Sequence, residues 1–168
     1  MKTILFLLLA LTIGFSSLAQ RTQALKTKPN VKTVFNNRLL ELATSELTVG
    51  HLRNIYGSTL RVSKVSRNIQ EPAVKDTILT ANAGVDRLKI FSNKYNSFLL
   101  SAEITSHKLK FGRGIQIGAS KDIFCKAFGL PTAFDSYQLA DAEGRSTICF
   151  LFRQGVLASV NYDIGWLD

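Results

Sequence analysis

The chain has 168 residues, of which 46% are apolar and 20% charged, and 21 Lys and Arg against 12 Asp and Glu give it a net charge of +9. This composition is typical of one globular domain and excludes a disordered or collagen-like chain. Two cysteines are too few for a disulfide-dense small protein or a four-cysteine zinc site.

Residues 1–19 have the layout of a secretory signal peptide. A lysine precedes an almost unbroken apolar run from Ile4 to Phe15, and the small residues Ser17 and Ala19 stand at the −3 and −1 positions of a cleavage site before Gln20. The run is shorter than the about 20 apolar residues of a membrane anchor, no lipid-attachment cysteine stands near the site, and no later stretch is apolar enough to span a membrane. The sequence predicts export, to the periplasm or out of the cell, with cleavage between Ala19 and Gln20.

The exported chain divides into a lead-in and one domain. Residues 20–32 are polar, basic and without periodicity, which predicts a flexible lead-in, and residues 33–168 form the domain. Helical spacing of apolar residues predicts a helix from Thr33 to Ala43, with an apolar face made of Phe35, Leu39 and Leu42.

The first half of the domain continues with a second helix and several strands. This helix is predicted from Thr48 to Tyr56, with Thr48 as N-cap and Gly57 in a left-handed closing position. Strands are predicted at Val62 to Val65, Ile78-Leu79, Asp86–Phe91 and Ser97–Thr105. Period-2 alternation in the last strand predicts one half-buried face, made of Phe98, Leu100, Ala102 and Ile104.

The second half repeats this order. Ser120 is the predicted N-cap of a helix that runs to Phe128 and ends at Gly129. Two strands follow, Thr147–Phe152 and Val156–Tyr162, and a tight turn at Gly155 connects them.

Equal spacing relates the two halves. Thr48 and Gly57 are as far apart as Ser120 and Gly129, and each closing glycine follows an aromatic residue. The predicted fold class is α+β, an antiparallel sheet with helices packed on one face, built from two tandem helix-hairpin units at about residues 45–105 and 115–163.

The second unit resembles the beta-lactamase-inhibitor-protein-like fold, which is shared by small envelope lipoproteins of the SmpA/OmlA type. The resemblance lies in IQIGASKDIFCKAFGLP at residues 115–131, ICFLF at 148–152 and GVLASV at 155–160. The chain lacks the lipid-attachment cysteine of those lipoproteins. The resemblance implies a non-catalytic module that binds another macromolecule through its exposed sheet face and hairpin loops.

The two cysteines leave two alternatives open. In an oxidising compartment, a Cys125–Cys149 disulfide would close a loop of about 25 residues and contribute about 3 kcal/mol, whereas the other alternative is two buried thiols. Strand alternation places Cys149 opposite Ile148 and Phe150. If Ile148 and Phe150 face the helices, Cys149 points away from Cys125.

The sequence predicts no enzyme, no cofactor and no metal site. The only histidines, His51 and His107, stand in no nucleophile or metal motif. The acidic residues Asp135, Asp141 and Glu143 do not have the spacing of a calcium loop and are interpreted as a polar turn.

Binding is therefore the predicted activity, with a protein partner in the cell envelope or outside the cell. Lys94, Tyr95 and Tyr137 stand in polar stretches without a nearby core, where tyrosines are favoured interface anchors. The alternative partner is an anionic lipid or glycan, attracted by the nine Lys and Arg of residues 21–67. Nucleic acid is not expected, because the chain is predicted to be exported.

Overall fold

The computed structural model describes residues 30–165, so the predicted signal peptide at 1–19 and most of the lead-in at 20–32 lie outside the described residues. The described chain is α+β, with one large and mostly antiparallel sheet. Its elements in chain order are β1 (Val31–Phe35), α1 (Asn37–Thr44), α2 (Val49–Tyr56), β2 (Leu60–Arg67), β3 (Lys75–Ala83), β4 (Asp86–Ser92), β5 (Ser97–Ile104), β6 (Lys110–Phe111), a 3-10 turn (Gly112–Gly114), β7 (Ile115–Gln116), α3 (Lys121–Phe128), β8 (Ser136–Ala140), β9 (Ser146–Arg153) and β10 (Val156–Ile164).

The large sheet has eight strands in the order β1-β8-β9-β10-β5-β4-β3-β2. Strands β2 to β5 form one meander, β8 to β10 form another, and the last strand of each, β5 and β10, pair at the centre. β1 pairs with β8 in parallel, and the other pairs are antiparallel. None of the helices in residues 30–165 has the length and hydrophobicity to cross a membrane.

Helices α2 and α3 contact the same face of the sheet, which we call the helix face. In α3, the ring centroid of Phe124 lies 4.8 Å from that of Phe150 on β9. In α2, the Tyr56 hydroxyl donates a hydrogen bond to Asp86 on β4. The strand register places Asp86 and Phe150 on the same side of the sheet, and the core of the protein fills the space between this side and the helices.

The opposite side of the sheet, the open face, carries none of the helices of the described part of the chain. A polar row crosses seven strands of this face, consisting of Thr33, Gln138, Cys149, Asn161, Glu103, Arg87 and Asn82. Because such a row cannot form a second core, this part of the face stays in contact with solvent.

The prediction for the start of the domain was wrong. Val31–Phe35 is strand β1, so Val31 and Lys32 belong to the sheet and not to a flexible lead-in, and the first helix begins only at Asn37. Asn36 caps this helix by accepting a hydrogen bond from the Leu39 amide. The apolar spacing fits a helix equally well, but pairing with β8, about one hundred residues away, makes the segment a strand.

The later elements largely confirm the predictions. Thr48 and Ser120 cap α2 and α3 as expected, Gly129 is left-handed with φ 67°, and the predicted strands are present to within a few residues. Gly57 is an exception, because its φ of −52° continues the helical conformation. Strand β8 was not predicted.

Candidate binding site on the open face

An apolar cavity of about 590 Å³ lies at one end of the open face. Its lining comes from six strands of the large sheet and consists of Lys64, Ser66, Asp76, Ile78, Phe91, Phe98, Leu100, Ser146 and Ile164. Such a volume is in the range of natural ligand and side-chain pockets, which are mostly apolar with a few polar groups at defined places.

One cross-strand row supplies much of the lining. Lys64, Ile78, Phe91 and Phe98 are successive partners across β2, β3, β4 and β5. The rings of Phe91 and Phe98 stack with their centroids 5.0 Å apart, and Phe98 is 42% exposed. A stacked aromatic pair is thus accessible on a face that has no core to bury it.

A β-bulge brings Phe98 to this face. Between Ser101, opposite Lys89, and Leu99, opposite Ile90, the register shifts by one residue at Leu100. An extra residue in one strand reverses the facing of every residue beyond it. The predicted face with Phe98 beside Ala102 and Ile104 was therefore wrong. The adjacent apolar pair Leu99-Leu100, which interrupts strict alternation, was the signal in the sequence.

The cavity borders a network that ties two turns together. Asp76 accepts hydrogen bonds from the side-chain amides of Asn68, at 3.1 and 3.2 Å, and of Asn93, at 3.0 Å. Asn68 Oδ1 also accepts from the Glu71 amide, and Asn93 Oδ1 accepts from the Tyr95 amide. The β2–β3 and β4–β5 turns are thereby held together beside the cavity.

Tyr95 and Lys94 lie in the β4–β5 turn, as predicted. Tyr95 is 58% exposed, and Lys94 Nζ lies 5.2 Å from the centroid of its ring. The Tyr95 hydroxyl donates a 2.7 Å hydrogen bond to Glu71, and this bond raises the pKa of the phenol. The ring is accessible, but its hydroxyl is already paired within the chain.

Tyr137 is not a surface anchor, and its predicted placement was wrong. It lies on β8 and is fully buried, with its ring centroid 5.3 Å from that of Phe124. Its hydroxyl donates to the Pro131 carbonyl and accepts from the Cys125 thiol. Burial, with the contact to Cys125, raises the pKa of the phenol to about 12. Pairing of β8 with β1 and β9 turns this polar stretch into a central strand.

The possible disulfide is not formed, and Cys125 and Cys149 are free. Cys125 is buried under α3 beside Tyr137. Cys149 lies in the polar row of the open face, where its sulfur is 3.3 Å from Ser136 Oγ. The side chains of β9 alternate between the two faces of the sheet. Ile148 and Phe150 occupy the helix face, so Cys149 between them lies on the open face, away from Cys125.

The remaining candidate groups are dispersed. His51 Nε2 lies 3.8 Å from Glu46, and His107 Nδ1 lies 2.7 Å from the Ile117 carbonyl oxygen. Asp141 accepts hydrogen bonds from the Arg145 and Ser146 amides and so closes a turn. In residues 30–165, no group of three or more His, Cys, Asp or Glu is placed to hold a metal ion.

Cations without ionic partners surround the cavity. Lys64 is part of its lining, and the next row of the open face holds Lys89 on β4 and Arg61 on β2, with Thr80 of β3 between them. Within the described part of the chain, none of these three cations forms a salt bridge. This end of the sheet therefore combines apolar surface with three cations, against the Asp76 carboxylate in the cavity lining.

Comparison with known proteins supplies no relative from which a function could be transferred. No family model matches the chain, and no curated protein or solved structure gives a significant match. The cavity and its surroundings are therefore the basis on which a function can be assigned.

Proposed function

We propose that this chain is an exported, non-catalytic binding module that recognises another protein through its open sheet face. The observation that carries the proposal is the accessible Phe91–Phe98 pair in the 590 Å³ cavity. Desolvated aromatic residues dominate the energetics of protein interfaces. An apolar depression on an otherwise polar face is the usual sign of an interaction site.

We further propose that the fold is a tandem repeat of the kind implied by the resemblance to the beta-lactamase-inhibitor-protein-like fold. Helices α2 and α3 have eight residues each, and in both a hydroxyl caps the helix at 3.3 Å. The meander β2 to β5 follows α2, the meander β8 to β10 follows α3, and the two meet at the β5–β10 pair. The cavity lies beside this junction, since Ser146 and Ile164 complete its lining.

The second candidate function is attachment to an anionic lipid or glycan. It is favoured by Arg61, Lys64 and Lys89 on the same face, which form no salt bridge within residues 30–165. The attraction between exposed charges is screened over about 8 Å at physiological ionic strength, so binding through these cations should weaken as salt is added. A contact centred on Phe98 resists salt, because apolar burial does not depend on ionic strength in this range.

The experiment captures partners from envelope extract with the purified, C-terminally tagged protein and elutes them along a salt gradient. We expect one defined protein to be retained at high salt. The Phe98→Ala variant should bind this protein at least about tenfold more weakly, as expected for an interface hot spot. The matched control is Val85→Ala, which truncates a more exposed apolar side chain, 63% against 42% for Phe98, in the β3–β4 turn and should bind normally.

Two results would contradict the proposal. If the Phe98→Ala variant retains the partner as well as the wild type does, the cavity is not part of the binding site. Release of mixed anionic material at low salt, with no defined protein retained, would favour attachment through charge. The intact mass of the secreted protein tests export separately, since cleavage after Ala19 leaves Gln20 as the first residue.

A further inference from the structure

Strand β2 is an open edge of the sheet. Within residues 30–165 it is the last strand in the sheet order and pairs only with β3. All residues from Arg61 to Arg67 are exposed, including Val62 at 60% and Val65 at 53%. An edge strand of this length presents a row of backbone N–H and C=O groups that can pair with another strand.

A bulge sorts the side chains of β2 by chemistry. The register shifts at Ser63, between Val62 and Lys64. Arg61 and Lys64 therefore share the open face although they are three residues apart. Val62 and Val65 share the opposite face for the same reason, with Arg67 at its end, so the edge has a cationic side and a side that exposes two valines.

A second copy of this chain is a poor occupant of the edge. Leu60–Arg67 contains three cations and no acidic residue. In an antiparallel self-pair centred on Lys64, the two Lys64 side chains face one another, and Arg61 and Arg67 add further positive charge to the same short interface. Like charges directly opposite are destabilising, and basic residues on edge strands are a known protection against self-association.

We propose that β2 accepts an extended acidic segment of the partner protein as a ninth strand. A regular strand alternates its side chains as β3 does, so every second residue of the segment faces Arg61 and Lys64. These positions call for Asp or Glu, and the positions between them call for apolar residues that cover Val62 and Val65. The ligand is thus a strand of alternating acidic and apolar residues.

The inference rests on the proposed function and specifies the chemistry of the partner. Lys64 belongs both to the edge and to the cavity lining. The added strand therefore lies beside the cavity, and the rest of the partner can reach Phe98. Backbone pairing supplies affinity in this mode of recognition, and alternate side chains supply specificity.

The test uses the full protein and synthetic fluorescent peptides. The probe is a capped seven-residue peptide that alternates four glutamates with three valines. A first control has the same composition, with all glutamates before all valines, and a second has lysine in place of glutamate. A third control is N-methylated at every second amide, which removes backbone donors without changing charge. Fluorescence anisotropy gives the affinities.

We expect the alternating acidic peptide to bind at least about tenfold more tightly than each control. Lys64→Glu reverses one cross-strand charge pair and should weaken this binding about tenfold. The matched control Lys126→Glu makes the same change in net charge at an exposed position of α3 and should leave binding unchanged. Amide exchange measured by NMR should slow in β2 when the peptide is bound.

Three results would overturn the inference. The first is that the alternating acidic peptide does not bind the protein. If the block-ordered or the N-methylated peptide binds as tightly as the alternating acidic peptide, the peptide is held by charge and does not pair with β2 as a strand. Binding of the protein to phosphatidylglycerol vesicles, lost in Lys64→Glu while no peptide binds, would assign the cations to a membrane. If Phe98-dependent capture of a protein partner persists in Lys64→Glu, the proposed function stands without the added strand.

Discussion

Asp86→Asn is expected to lower the unfolding free energy by about 3 kcal/mol at pH 7. Asp86 is fully buried, and its carboxylate accepts four hydrogen bonds. The donors are the Thr105 and Ser106 amides, both at 2.9 Å, the Tyr56 hydroxyl at 2.8 Å and the Ser106 hydroxyl at 2.5 Å. The network joins the end of α2 to the start of β4 and to the segment after β5, so it connects the helix layer to the sheet.

The magnitude follows from the change in the acceptor. A hydrogen bond to a charged group stabilises by about 1 kcal/mol more than one between neutral groups. With Asn, the two amide bonds to Oδ1 become neutral. The hydroxyls of Tyr56 and Ser106, which donate to Oδ2 of Asp86, meet the NH₂ group of Asn instead. Because this group is itself a donor, the hydroxyls must accept from it and lose the bonds they donated. Together these changes amount to about 3 kcal/mol, or a melting temperature lower by about 12 °C in a domain of this size.

The difference should depend on pH. Burial raises the pKa of Asp86, but the hydrogen bonds from Ser106, Thr105 and Tyr56 outweigh it and hold the pKa below the ordinary value of 3.8. A lowered folded-state pKa gives stability that is fully present above the unfolded pKa and is lost as the pH falls through the folded one. The gap between wild type and variant should be constant above about pH 5 and should narrow below pH 4.

Urea unfolding followed by circular dichroism between pH 3 and pH 8 measures this gap. The control is Glu103→Gln, which makes the same chemical change in an exposed salt bridge, where Glu103 lies 3.0 Å from Arg87. It should cost less than about 1 kcal/mol. Equal stability of Asp86→Asn and wild type at pH 7, or a gap that widens in acid, would refute the reasoning.

Two further predictions concern the core under α3. Phe124→Ala removes a buried ring that packs against Phe150 and should cost about 4 kcal/mol in urea unfolding. The neighbouring Ile123→Ala, at a position 61% exposed, should change stability by less than about 0.5 kcal/mol, and a similar loss in both variants would contradict this packing. Tyr137→Phe should cost about 1 kcal/mol, because the Pro131 carbonyl loses the hydroxyl donor and keeps only the weaker Cys125 thiol at 3.6 Å. The raised pKa of Tyr137 stabilises the folded wild type, and this stability is lost as the pH rises above 10 toward 12. The difference in melting temperature between wild type and Tyr137→Phe should therefore narrow between pH 10 and pH 12. A constant difference over this range would contradict the role given to the Tyr137 hydroxyl.

The candidate site was only partly predictable. Tyr95 and Lys94 lie on an exposed turn because the polar sequence between β4 and β5 determines it locally. The cavity was missed, since Phe98 reaches the open face only through a bulge defined by pairing with β4. Tyr137 was misplaced for a similar reason, because β1 and β9 enclose its strand.

Local chemistry by itself determined the elements that close within a few residues. Ser120 and Gly129 delimit α3, and Gly155 forms the β9–β10 turn with φ 76°. The cap and the positive φ act on neighbouring backbone groups, and no distant partner is needed. The period-2 pattern of β9 likewise placed Ile148 and Phe150 on one face, and in the structure both are buried on the helix face.

Only the tertiary structure decided which segment becomes β1, which face receives Phe98, and where Asp86 finds its donors. Each of these outcomes depends on a partner far away in the chain, and a segment such as Val31–Phe35 is compatible with more than one local conformation. The free energy that selects among them comes from sheet pairing and burial. Those terms exist only once the strands have met, and for this reason the open face, its cavity and its unpaired edge are properties of the assembled sheet.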